Sequence, residues 1–176
     1  MGARFRGDDG HVRARVLESN CGIDPATYLA EAVATPLGMT STHLHGSPAS
    51  EATSTLDDMV RWLAELLAPG RVLAPETVEL ARSVAFPGLD GLVPGYGKQS
   101  PNDWGLGFEV RGHKDPHWTA PSNSPETFGH FGRSGSFTWV DPVAGRALVV
   151  LTDRDFGSWA KPRWPALGEA VLGHGA

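Results

Sequence analysis

Apolar positions recur at helical spacing most clearly between Leu56 and Leu67. Met59, Trp62, Leu63, Leu66 and Leu67 fall at i, i+3, i+4, i+7 and i+8, which makes one stripe along a helix. Thr55-Leu56-Asp57-Asp58 opens it as a capping box with Asp in place of the usual Glu, and Pro69-Gly70 stops it. Upstream, Asp24-Pro25 supplies an N-cap and a proline at the first helical position, with Leu29 and Val33 on one face. That helix is expected to end near Thr35, because Pro36 disfavours helical geometry in the residue before it. Pro36-Leu37-Gly38-Met39 then forms a turn, followed by a polar loop over 40–53. A third helix is expected from Pro75 to about Val84, with the Gly- and Pro-rich stretch 86–103 as loop.

Beyond Asp103 the period shortens. Trp104, Leu106, Phe108 and Val110 alternate, which predicts a strand over 104–110. A long polar connection covers 113–125. Two strands, 127–131 and 136–140, flank Gly132-Arg133-Ser134-Gly135. A turn at 141–145 leads into an apolar strand over 146–152, and a last helix spans about 165–172. Helices first, then an antiparallel meander and a closing helix, give an α+β fold. The expected organisation is an N-terminal arm over 1–22, helices over about 23–100, and sheet with closing helix over about 101–176.

Composition narrows the function classes. The chain has 176 residues and a net charge of −5, which argues against a nucleic-acid partner. Arg4, Arg6, Arg13 and Arg15 stand beside Asp8 and Asp9 and read as a solvated, poorly ordered arm. The single cysteine, Cys21, excludes an intrachain disulfide, and no histidine lies near it in sequence to activate it. No apolar run is long enough for a membrane segment, and residues 1–20 lack an apolar leader, so the expected location is the cytoplasm.

Three ordered stretches resemble the β-lactamase-related serine hydrolases of the β-lactamase and penicillin-binding-protein superfamily. The first, from Tyr28 to Thr42, is similar to that family's helix leading into a Pro-Leu-Gly-Met turn. The second, Ser54 to Trp62, is similar to a helix of its all-helical lobe. The third, Phe128-Gly-His-Phe-Gly-Arg-Ser-Gly-Ser-Phe137 followed by 149–153, resembles the His-x-Gly form of the Lys-Thr-Gly motif and the next strand. Pro101 to Phe108 fits the strand entering that sheet. The resemblance covers about 22–172 and implies the C-terminal part of a β-lactamase/DD-peptidase-like fold.

The resemblance also implies a chemistry. A serine of Ser-x-x-Lys attacks an acyl carbonyl, and a Tyr-x-Asn or Ser-x-Asn element assists proton transfer. His130 is implied as a hydrogen-bond donor or charge stabiliser facing the substrate. Gly132 would let substrate lie against bare backbone. The Arg133 N–H would be half of an oxyanion hole. No cofactor is implied, and the partner would be a small acyl substrate: an ester, amide or β-lactam.

The departures shape the expectation. Both remaining motifs of the family precede the Pro-Leu-Gly-Met turn, and nothing before it here reads Ser-x-x-Lys or Tyr-x-Asn. The literal match Ser158-Trp-Ala-Lys161 follows the His-x-Gly strand, and Ser100-Pro-Asn102 falls in a loop. Ser134 and Ser136 miss a Gly-x-Ser-x-Gly elbow by one position and read as small turn residues. His43, His45, His113 and His117 raise the idea of a zinc hydrolase, but Pro116 disfavours a helix that would align the last two, so all four read as exposed loop histidines. Trp104, Trp139, Trp159 and Trp164 read as packing residues rather than a stacking platform. The expectation is therefore part of a serine hydrolase that supplies the pocket wall without the nucleophile. Alone, it should be inactive and prone to self-association through an exposed sheet edge or core face. The competing reading is a non-catalytic module that binds a ligand or partner on the same wall.

Overall fold

A computed structural model describes residues 9–173, and two compact units meet in sequence between Trp62 and Leu63. Arg4, Arg6 and Asp8 of the expected arm lie outside the described residues. Within that arm, α1 occupies Asp9–Cys21, where no element was expected.

In the first unit, Asp24 caps α2 (Pro25–Leu29), its carboxylate accepting the N–H groups of Ala26 and Thr27 at 3.0 and 3.1 Å. The helical path does not stop before Pro36. It widens into a π-helical turn (Ala30–Ala34) and continues as α3 (Thr35–Leu37). The longer reach of π bonding, Thr35 N–H to the Ala30 carbonyl, leads the chain into a proline that offers no N–H of its own. The expected turn at Gly38 and Met39 is present: Gly38 is left-handed, and Met39 N–H reaches back to the Ala34 carbonyl at 2.8 Å. The expected loop over 40–53 carries a short antiparallel ribbon, β1 (His43–Leu44) with β2 (Ala52–Thr53).

The predicted amphipathic helix is α4 (Leu56–Leu67). Thr55 Oγ1 accepts the Asp58 N–H at 3.3 Å, which is half of the capping box. Asp58 does not reciprocate. Its buried carboxylate turns to Ser41 N–H and Thr42 Oγ1, both at 2.8 Å, and fastens the loop that follows the Pro-Leu-Gly-Met turn.

In the second unit, buried Glu65 accepts N–H groups from Gly70, Arg71, Val72 and Leu73, so the stop after α4 is held by one carboxylate. Next come α5 (Pro75–Arg82) and a hairpin of β3 (Gly91–Val93) and β4 (Gly97–Gln99), turning at Pro94-Gly95. That hairpin sits inside the stretch predicted as loop. The predicted strand over 104–110 shrinks to β5 (Glu109–Val110). Gly105 and Gly107 explain the difference. Gly107 has φ 98°, a conformation other residues avoid, and Gly105 N–H bonds the Phe108 carbonyl, folding the segment into a turn.

A four-stranded antiparallel sheet runs β5, β6 (Phe128–Phe131), β7 (Phe137–Asp141), β8 (Arg146–Val150). β7 is central, with Phe137, Trp139 and Val140 buried. Burying each of its two aromatic side chains is worth about 2–3 kcal/mol. The closing helix α6 (Ala160–Gly173) starts five residues earlier than expected and seats Trp164 between Phe137 and Phe131, at ring distances of 4.7 and 5.5 Å. The connection over 113–125 is not a polar surface loop. Trp118 and Ala120 are essentially inaccessible, and Lys114, His117, Thr119 and Asn123 are buried with them.

Candidate functional site

The turn between β6 and β7 is closed by two hydrogen bonds: Gly132 N–H to the Ser136 carbonyl at 2.9 Å, and Gly135 N–H to the Gly132 carbonyl at 3.0 Å. Gly135 has φ 78°, and a Cβ there would run into the Arg154 carbonyl, so packing and conformation both demand glycine. Gly132 is under no such demand. A Cβ there would meet Ser134 Oγ at 3.4 Å, an ordinary contact. The turn alone does not explain that glycine.

Arg133 engages the protein through one face of its backbone only. Its carbonyl accepts the Phe156 N–H at 2.8 Å, while its own N–H meets no acceptor among the described residues. Three residues earlier, His130 pairs with Thr138 across β6 and β7 and leaves its side chain exposed, with the Trp104 ring edge-on at 5.5 Å. His130 and Arg133 border one cavity of about 440 Å³ whose other walls include Leu92, Trp104, Phe131 and Phe156. An exposed imidazole and an unengaged backbone donor thus flank a largely apolar hollow.

The other candidates do not converge. Ser136 Oγ accepts the Thr152 N–H at 3.2 Å, and neither it nor Ser134 bonds His130. Ser158 does stand just before a helix, with Lys161 in the first turn of α6. No hydrogen bond joins them, and the ammonium lies 6.0 Å from the Tyr96 ring centre. Ser100 bonds Asp90, and Asn102 N–H bonds the Leu89 carbonyl. His43 and His45 lie with ring centres 6.1 Å apart, and His45 bonds Thr53. Among the described residues, no group of three His, Cys, Asp or Glu side chains is placed to hold a metal.

His117 corrects the expectation of exposed loop histidines. It is buried, and Nδ1 accepts the Thr119 N–H at 3.2 Å, so the ring proton belongs on Nε2, which donates to Glu109 Oε1 at 3.2 Å. Glu109 also accepts the Trp118 indole N–H at 2.9 Å and pairs with the Lys114 ammonium at 3.3 Å. Burial pushes the His117 pKa below its ordinary value and keeps the ring neutral near pH 7. Burial alone would raise Glu109, but its bond to His117, the charge of Lys114 and the Trp118 N–H outweigh that and hold the carboxyl below the usual range. Sequence reasoning missed this cluster, and the only hint was the concentration of ionisable residues beside Trp118.

Fold and cavity together describe a class of helix-and-sheet scaffold in which the strand carrying His130 borders an open hollow. The chain belongs to the Beta-lactamase family, whose model matches residues 10–172, within the serine hydrolase superfamily that includes penicillin-binding proteins. It is 54% identical to a β-lactamase from Mycobacterium bovis of known crystal structure, with a TM-score of 0.87 over 92% of this chain and 60% of that one. A penicillin-binding-protein homolog from Caulobacter crescentus shares the fold at 17% identity and a TM-score of 0.71, over 93% of this chain and 56% of that one. A Salmonella gallinarum protein, provisionally named a D-alanyl-D-alanine carboxypeptidase, is 36% identical over 77 residues, 42% of this chain and 18% of its own length. The chain therefore spans less than two thirds of the length of each of these relatives. Among the described residues, no helix is long and apolar enough to cross a membrane.

Proposed function

We propose that this chain forms one wall of the acyl-binding pocket of a serine hydrolase acting on an ester, amide or β-lactam, with the Ser-x-x-Lys nucleophile supplied by sequence outside these 176 residues. The observation that carries the reading is the Arg133 N–H, left without an acceptor among the described residues, beside exposed His130 and a Gly132 that the turn itself does not require. An N–H held rigid by its neighbours is the kind of donor that stabilises charge developing on a carbonyl oxygen. His130 donates to the substrate, and Gly132 keeps the strand bare for its approach. Self-association through the outer edge of β8, which has no strand partner among the described residues, belongs to the same reading.

The test uses a serine-directed fluorophosphonate. The chain by itself should remain unlabelled. Co-expressed with the segment of the M. bovis relative that it does not cover, it should support labelling of a serine in that segment. His130→Ala should slow that labelling on the order of 100-fold, the scale of one lost donor to the transition state. Labelling of the isolated chain at Ser158 or Ser134 would overturn the proposal, as would a co-expressed pair indifferent to His130→Ala.

A further inference from the structure

The second unit contains another cavity, of about 690 Å³, which the His130 pocket does not use. In a chain with a net charge of −5, its walls gather cations. Arg111, Lys114 and Lys161 line it, against one carboxylate, Asp115. Lys114 is already neutralised: its buried ammonium pairs with Glu109 and donates to the carbonyls of Asp103 and Val110. His117, also in the wall, is kept neutral by burial. Two cations are then left without a direct ion pair, although Asp115, Asp141 and Glu169 act on Arg111 from further off. Lys161 makes no ion pair or hydrogen bond among the described residues. Arg111 spends two N–H groups on the carbonyls of Gly112 and Pro121, at 3.1 and 3.3 Å. Its Nε is buried without a partner, and no carboxylate comes close enough to pair with it.

The remaining surface is part polar, with His113 and Thr119, and part apolar. Tyr96, Pro116, Pro121 and Pro165 supply the apolar part. The Tyr96 hydroxyl is buried without a partner, and burial pushes its pKa up to about 12, so it stays a neutral phenol and adds no negative charge. A neutral solute offers nothing to the two cations of this wall that lack a direct ion pair. An anion with a flat apolar body satisfies both halves.

We propose that this cavity is a binding site for a small organic anion, a carboxylate or phosphate on an apolar body, with Lys161 and Arg111 facing the charge and Tyr96 and Pro165 facing the body. The Ser158-x-x-Lys161 letters then have a structural consequence unrelated to a nucleophile: the lysine serves this cavity and not the serine.

The experiment is an NMR titration of the chain with benzoate, phenyl phosphate and benzamide, the last being neutral and of benzoate's shape. At least one of the two anions should saturate and perturb signals of Tyr96 and His117, binding tenfold or more tightly than benzamide. Lys161→Ala, at an exposed side chain, should weaken that anion about tenfold, the scale of one charge-assisted contact. His130→Ala should leave it unchanged. Equal binding of benzamide and both anions, no saturation by either anion, or indifference to Lys161→Ala would each overturn the proposal. Loss of binding in His130→Ala would move the ligand to the other pocket and overturn it too.

Discussion

Two segments of the second unit carry residues of catalytic type and treat them in opposite ways. Between Glu109 and Thr119, a carboxylate, an ammonium, an imidazole and a hydroxyl are buried and bonded to one another. Between His130 and Gly135, an imidazole is exposed and a backbone donor has no acceptor among the described residues. By residue type alone, the first segment is the more active-looking. Satisfied hydrogen-bonding capacity marks structure, however, and the unspent capacity of the second segment is what the proposed function draws on. The buried network ties the connection over 113–119 onto β5, the strand that supports β6.

The largest effect that would sharpen this contrast is Glu109→Ala. It strands the Lys114 ammonium and two ring donors in the interior, and it should lower the unfolding free energy by about 3–5 kcal/mol, read from urea denaturation followed by tryptophan fluorescence. A loss below about 1 kcal/mol would break the comparison, because the cluster would then not be holding the fold.

Acid should produce a smaller, stepped loss. The folded pKa of His117 lies below its ordinary 6.5, so the unfolded chain takes up that proton first. Stability is therefore complete above 6.5 and starts to fall as pH drops through it. Asp141 follows. Burial would raise its carboxyl, but the N–H of Ala144 and the Ser124 and Asn123 contacts lower it from 3.8 to about 2. Its contribution, about 2 kcal/mol, is present above 3.8 and disappears as pH falls towards 2. Denaturation midpoints measured from neutral to strongly acidic pH should show both steps, and Asp141→Asn should shrink the lower one, leaving the share of Glu109 and Glu65, whose carboxyls are also held below their usual range.

The smallest stability effect should come from His130→Ala, within about 0.5 kcal/mol by the same denaturation assay, because the side chain is exposed and completes no network. A destabilisation comparable to that of Glu109→Ala would make His130 a structural residue and erase the distinction between the two segments.

What the sequence disclosed follows the range of the interactions involved. The helix α4 was legible because its stripe is local, whereas the His130 to Arg133 wall was named from a resemblance and stands as the proposal made above. The turn at 104–108 was misread as strand because alternation of Trp104, Leu106 and Phe108 is the same whether or not Gly105 and Gly107 fold it back. The fate of Lys114 and His117 was not legible, since their burial depends on Glu109 accepting from both, and no local pattern announces that. The cavity beside His130 was equally hidden. It needs Leu92, Trp104 and Phe156, each far from His130 in sequence.

The two glycines of the β6–β7 turn should fail in different ways when they are changed. Nearly any missense codon at Gly135 forces a side chain into the Arg154 carbonyl, so its loss should be visible as protein that never accumulates. A codon change at Gly132 leaves room for a small side chain and an intact chain, and would be silent until a substrate is offered. Within four residues of one turn, one glycine thus serves the making of the protein and, on the reading proposed above, another serves its use.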